Sequence, residues 1–169
     1  MKIAVLVSGG VDSSVALKLL KDEGHDVEAF YLKIWLEDEL NYLNKCPWEE
    51  DLKYIEKICE REKIKLYVVT MQQEYYERIV QYTMSEIQAG RTPNPDILCN
   101  QRVKFGLFLD KIGNDFEKIA SGHYARVLQR NRIFLLLTSP DPVKDQTYFL
   151  SQLDQNQLRR ILFPIGHLT

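Results

Sequence analysis

The sequence predicts an α/β fold, a parallel β-sheet with helices on both faces, followed by a short β-hairpin and a helical tail. Two observations carry that prediction. Short apolar, β-branched runs alternate with segments whose apolar residues recur at helical spacing, the pattern of βαβ units. Two of the runs end in small polar turns, Ser8-Gly9-Gly10 and Ser121-Gly122-His123. Turns of that composition belong at the carboxyl ends of parallel strands, where open α/β sheets bind ligands. The length of 169 residues suits one domain or a little more.

Each element has its own signal. Lys2–Val7 is a buried strand, and Val11–Glu23 a helix with Val15, Ala16, Leu19 and Leu20 at helical spacing and Gly24 as its stop. Val27–Lys33 is a second strand, and Trp35–Asn44 an acidic connection longer than the usual βα loop, with the character of a flap. Pro47–Arg61 opens with Pro and carries Leu52, Ile55, Ile58 and Cys59 on one face. Leu66–Val69 is a third strand and Glu74–Gln88 a helix ending before Gly90. Two prolines make 91–96 neither helix nor central strand, because they remove donors and restrict their predecessors. Asn100–Ile112 is helical and Lys118–Ala120 a short strand. Tyr124–Leu128 and Ile133–Thr138 form a hairpin around 129–132, Pro140–Pro142 a loop, and Gln146–Arg160 a last helix.

Composition excludes several classes. Hydrophobic residues at 45% and charged residues at 27% exclude disorder and fibrous architectures. Runs such as Ile3–Val7 are too short to span a membrane, and no basic-then-apolar leader opens the chain. Three cysteines without a C-x-x-C pair argue against a disulfide framework or zinc knuckle, and a reducing cytoplasm is the expected location. The net charge of −2 argues against coating nucleic acid through global charge. Residues 91–132 nevertheless hold eight basic and four acidic side chains, a local +4.

The first chemical motif is Ser8-Gly9-Gly10-Val11-Asp12-Ser13-Ser14, between strand and helix. Backbone N–H groups of a Gly-rich turn cradle an anion, and the helix N-terminus adds positive dipole. Ser13 and Ser14 could cap the helix or donate to phosphate oxygens, and Asp12 could hold a Mg²⁺ that bridges phosphates. The Walker lysine and the G-x-G-x-x-G spacing are both absent. A capped helix after a Gly turn is the plainer alternative.

This motif resembles the pyrophosphate (PP) loop of the N-type ATP pyrophosphatases, whose fold is of the adenine nucleotide alpha-hydrolase type. A second block narrows the resemblance. Gly90-Arg91-Thr92-Pro93-Asn94-Pro95-Asp96-Ile97-Leu98-Cys99-Asn100, with Lys104-Phe105 after it, is similar to the tRNA-specific 2-thiouridylases (MnmA, also called TrmU). Residues 121–126, 144–150 and 162–166 match the same family in the same order. The resemblance implies ATP with Mg²⁺ as cofactors, and tRNA and a sulfur donor (a cysteine desulfurase or sulfur-relay protein) as partners. It implies ATP contacts from Leu6, Val7, the 8–14 loop and Gly122, with Leu32 against the adenine where the family commonly has Met. It also places Asn94, Pro95 and Asp96 against the target base, His123 near it, and Lys144, Asp145 and Gln146 on tRNA.

Exchanging a uridine O2 for sulfur requires that oxygen to leave, and adenylation turns it into part of AMP, a competent leaving group. Sulfur must arrive as a strong nucleophile, in the family a cysteine persulfide. Cys99 is the expected reactive cysteine: directly before a predicted helix, its pKa should fall below about 8.5. A buried small hydrophobe is the commoner fate of a lone cysteine, and is the reading for Cys59. Cys46 is undecided. Asp96 is the candidate general acid or base, a role that needs burial, while Asn94 and Asp96 could instead simply stabilise turns.

The family runs to well over 300 residues, with its persulfide cysteine and two further domains beyond the L-F-P-x-G stretch. Residues 1–169 therefore correspond to the PP-loop catalytic domain and the start of the linking region, without the family's C-terminal domains. Adenine-nucleotide binding is expected to survive in this chain, and complete sulfur transfer is not. Two alternatives stand beside that expectation: another PP-loop synthetase, in which Cys99→Ser would be silent, and a nucleotide- or tRNA-binding fragment without turnover.

Overall fold

The computed structural model describes residues 1–34, 47–112 and 115–169. The acidic connection at 35–44 and Cys46 lie outside the described residues. Strand β1 (Lys2–Val7) leads to helix α1 (Val11–Asp22), β2 (Asp26–Lys33), α2 (Pro47–Glu62) and β3 (Leu66–Thr70). Next come α3 (Gln72–Tyr75), a π-helical turn (Tyr76–Val80) and α4 (Gln81–Gln88). The Asn94 side chain then caps α5 (Pro95–Leu98), which runs through a second π segment (Cys99–Leu107) into α6 (Phe108–Ile112). Strand β4 (Lys118–Ala120), the hairpin β5 (Ala125–Arg130) and β6 (Ile133–Thr138), a 3₁₀ turn (Thr147–Leu150), α7 (Gln155–Arg160) and β7 (Ile161–Leu162) complete the described chain.

The five-stranded sheet has the order β3-β2-β1-β4-β7, and all its pairings are parallel. The chain winds outward from β1 to β3, then returns to the other side of β1 as β4. That reversal leaves a crevice beyond the carboxyl ends of β1 and β4, the ligand site of open α/β sheets. Period-two alternation divides the core. Ile3, Val5 and Val7 face Leu17, Leu20, Ile55 and Cys59 of α1 and α2. Ala4 and Leu6 share the other face with Ile79, Leu98, Val103 and Phe108. Helices thus cover both faces, as the sequence predicts, and the free Cys59 and Cys99 belong to the cores on opposite faces.

Two expectations require correction. Residues 91–96 are expected to be non-helical, but Pro95 and Asp96 open α5, because Asn94 caps the helix and a proline in its first turn gives up an amide that has no intrahelical acceptor. The predicted helix over 146–160 is broken into the 3₁₀ turn and α7. The Asp145 carboxylate accepts from the Thr147 amide and hydroxyl, at 2.9 and 2.7 Å, and turns the chain at the start. Asp154 and Gln157 form a capping box that starts a new helix instead of continuing the old one. The two-residue strand β7 is too short for any periodicity, and exists because Ile161 and Leu162 pair with Ile119 and Ala120. The hairpin forms as expected, with Asn131 and Arg132 at positive φ (49° and 69°) in its two-residue turn.

Candidate functional site

A cavity of about 370 Å³ lies beyond β1 and β4, within the roughly 300–1,000 Å³ range of small-molecule sites. Leu6, Val7, Tyr31, Leu32 and Ile34 line it with apolar groups, and Ser8, Gly10, Asp12 and Ser13 bring the phosphate-loop candidate. Cys99, Lys104, Gly122, His123 and Gln146 also line it. With Asp51 of α2 also in the lining, the fold collects residues from six separate stretches of sequence. Gly9, Val11, Ser14, Asn94, Pro95, Asp96, Lys144 and Asp145 are not among its lining residues.

The 8–14 loop is braced by its own serines. Ser13 Oγ accepts from the Ser8 amide at 3.1 Å and donates to the Gly10 carbonyl at 3.1 Å; Ser14 Oγ donates to the same carbonyl at 2.9 Å. Gly10 is the N-cap, and no side chain caps the helix. The serines therefore neither cap α1 nor point free hydroxyls outward, because the Gly10 carbonyl is the nearer acceptor. The first intrahelical bond runs from Ser14 N to Gly10 O, so the preceding amides of the first turn have no intrahelical acceptor. Gly9 has φ +84°, and a Cβ there would lie 2.7 Å from Asp51 Cβ. A Cβ on Gly122 would lie 2.6 Å from the Ser13 nitrogen. The close backbone approach that Gly122 permits is thus to the 8–14 loop itself.

The environment of Cys99 differs from expectation. Cys99 is 7% exposed, and burial pushes its thiol pKa up, with nearby Lys104 opposing and Asp96 adding to the rise. The expected helix-dipole effect is overtaken because Asn94, not Cys99, stands at the helix start. The Asn94 carboxamide accepts from the Ile97 amide at 3.3 Å, and Cys99 falls beyond the first turn, where the dipole has faded. Residues five apart sit about 140° apart around an α-helix. The π segment's i→i+5 bonding, as from Phe108 N to Val103 O, brings such residues onto one side. Cys99 and Lys104 both reach the cavity by that geometry.

His123 Nδ1 lies 2.7 Å from Ser121 Oγ, and its ring packs 6.1 Å from Phe105 and 5.9 Å from Phe163. Burial, reinforced by Lys104, lowers its pKa to about 3, so the imidazole is neutral at physiological pH. Asp96 is exposed, so the burial that its acid–base role needs is not present here. It lies close enough to Tyr75 to help raise that phenol's pKa, after burial and Cys99. Gln146 is engaged with Tyr124: its Oε1 accepts the Tyr124 amide at 2.9 Å and its own amide donates to the Tyr124 carbonyl at 3.3 Å. Lys144 Nζ lies 2.7 Å from Asp12 Oδ2, which ties the segment expected on tRNA to the 8–14 loop.

Sequence reasoning missed Lys104, Asp51, Ser121, Tyr31 and Ile34 as cavity residues. Lys104 had a signal, its place within the Cys99 block. Asp51 had none, since only the packing of α2 against the Gly9 turn brings it there. No group of three or more potential metal ligands occurs among the described residues. Asp12 already faces a cation, the Lys144 ammonium, and a carboxylate is the donor type a hard divalent cation takes.

The whole chain, residues 1–169, matches the family model described as the tRNA methyl transferase HUP domain. The chain belongs to that family. It is 46% identical to the tRNA-specific 2-thiouridylase MnmA of Parabacteroides distasonis over 168 residues, 99% of this chain and 47% of the relative. MnmA of Alkaliphilus oremlandii is also 46% identical, over 170 residues, 99% of this chain and 46% of the relative. The chain thus spans a little under half the length of these relatives. A crystal structure from Methanocaldococcus jannaschii, described as a predicted subunit of tRNA methyltransferase, aligns with all of this chain and 70% of its own. Its TM-score is 0.56 at 17% identity, a likeness of fold. No helix among the described residues is long and apolar enough to cross a membrane.

Proposed function

We propose that this chain is the nucleotide-binding and adenylating part of a tRNA 2-thiouridylase acting on the wobble uridine. The observation that carries this reading is one cavity shared by a phosphate loop and Cys99, at the point where the sheet order reverses. The apolar wall of Leu6, Tyr31, Leu32 and Ile34 suits a purine, and the free amides of the first α1 turn suit its phosphates. A Mg²⁺ held by Asp12 would supply charge neutralisation at the phosphates.

In this reading the uridine O2 attacks the α-phosphorus of ATP and pyrophosphate departs. A persulfide sulfur then attacks C2, and the former O2 leaves within AMP. The uridine sulfur is now disulfide-linked to the family's persulfide cysteine, which the sulfur donor loads. Cys99 thiolate attacks that cysteine's sulfur, which releases 2-thiouridine and leaves a disulfide between the two cysteines for later reduction. Burial of Cys99 keeps that thiol protonated until the substrate arrives, and Lys104 is the cation placed to stabilise the thiolate. Asn94, Pro95 and Asp96 stand at the entrance to the Cys99 helix, where a base flipped from the anticodon loop would meet them. The sulfur donor is a cysteine desulfurase or relay protein, and the compartment is the cytoplasm.

The test is pyrophosphate release from ATP by this chain, with tRNA bearing the wobble uridine and the same tRNA carrying cytidine there. Release that depends on the uridine supports adenylation within these residues. Equal release with both tRNAs, or none despite ATP binding, overturns it.

A further inference from the structure

The phosphate loop carries a carboxylate and no lysine. In P-loop enzymes a lysine within the loop reaches the phosphates; here 8–14 offers only Asp12, which on its own would repel them. The fold supplies a lysine from 132 residues along the chain, with Lys144 Nζ 2.7 Å from Asp12 Oδ2.

That placement is built rather than incidental to a loose loop. On one side, Asp141 Oδ1 accepts from the Val143 and Lys144 amides at 2.7 and 2.9 Å. On the other, Gln146 is locked to Tyr124 through its amide and its side-chain carbonyl. The Tyr124 ring itself lies under the ammonium, 4.4 Å from it. Gln146 lines the cavity and Tyr124 directly follows its Ser121-Gly122-His123 edge, so two of the residues that fix Lys144 belong to or adjoin the cavity. The two charged side chains keep 43% and 37% of their surface exposed. A pair so wetted is weakly held, and either partner can exchange for a stronger counter-ion.

We propose that Lys144 is a ligand for the phosphate tail of the nucleotide. It neutralises Asp12 before ATP arrives, then binds phosphate oxygens, and afterwards the departing pyrophosphate, once Asp12 turns to the accompanying cation. This rests on the reading of the chain as an ATP-binding domain. It gives Lys144 a role that needs no RNA, unlike the tRNA contact implied by resemblance.

The experiment is isothermal titration of the chain with ATP, AMP and inorganic pyrophosphate, each with Mg²⁺ and without RNA. Lys144→Met, which removes the charge and keeps the stem, should weaken ATP and pyrophosphate by about tenfold or more. AMP affinity should stay unchanged, which also shows that the variant is folded, and Lys144→Arg should restore most of the loss. Wild-type affinity of Lys144→Met for ATP and pyrophosphate overturns the assignment, and so does an equal loss for AMP. If the wild-type chain binds neither ATP nor pyrophosphate, the nucleotide reading itself fails, and this inference with it.

Discussion

Two loop-to-helix junctions meet in the cavity, and they use the same local structure in opposite ways. At 8–14 the N-cap is Gly10, no side chain closes the helix end, and the serines turn inward to the Gly10 carbonyl. Amides and dipole are left for a ligand. At 94–104 the Asn94 side chain closes the helix end, and the reactive candidate Cys99 lies a turn further in, buried and raised in pKa. The first junction offers its backbone to an anion. The second shields a side chain and tunes it with a lysine one π turn away. What a helix start does to a site depends on which residue caps it, and a position one turn inside is governed by burial.

The sharpest way to break this contrast is Cys99→Ser, which should remove the disulfide formed with a persulfide-charged donor, read on a non-reducing gel. An adduct that persists would move the sulfur chemistry to another cysteine. Next comes Gly122→Ala, whose new Cβ would meet the Ser13 nitrogen at 2.6 Å. It should cost about 1–3 kcal/mol in urea unfolding and weaken ATP binding, because the loop backbone has to move. A smaller effect is expected from Lys104→Ala. Since Lys104 opposes the rise in the Cys99 pKa, its removal should slow iodoacetamide alkylation at pH 8 and shift the pH–rate curve upward. A downward shift would show that Lys104 does not act on the thiol. Cys59, pushed up to about 11 by burial alone, should stay the slower thiol in the folded chain.

The last expected effect is on stability at acid pH. The His123 pKa drops from 6.5 unfolded to about 3 folded, so between those values the unfolded chain binds more protons. Its contribution is fully present above pH 6.5 and declines as pH falls toward 3. His123→Asn should flatten that part of the slope in a urea series taken across this range. An unchanged slope would mean that the imidazole is not desolvated.

Most of the fold was legible because it rests on periodicity. The β1, β4 and β6 boundaries match the sequence expectation, as does the presence of helices on both faces. The misses share a cause. The break at 151–154 and the strand Ile161–Leu162 depend on a cap and on pairing with β4, neither of which leaves a period. Only part of each sequence block lines the cavity, since Asn94, Pro95, Asp96 and Lys144 do not, and the direction of each side chain was not legible. Ser13 and Ser14 turned inward, Gly122 met the loop, and Lys144 met Asp12.

By itself the sequence determined the alternation of strands and helices, the glycine turn after β1, and the family to which its motifs point. These are local properties, set by spacing, by conformational freedom at Gly9, and by the residues the chemistry needs. Only the tertiary structure decided that Lys104 shares the cavity with Cys99, that Asp51 stands against Gly9, and that Lys144 supplies a cation to a loop without one. Those contacts join residues far apart in the chain or a π turn apart, so their energies depend on burial and distance, which a linear sequence does not fix.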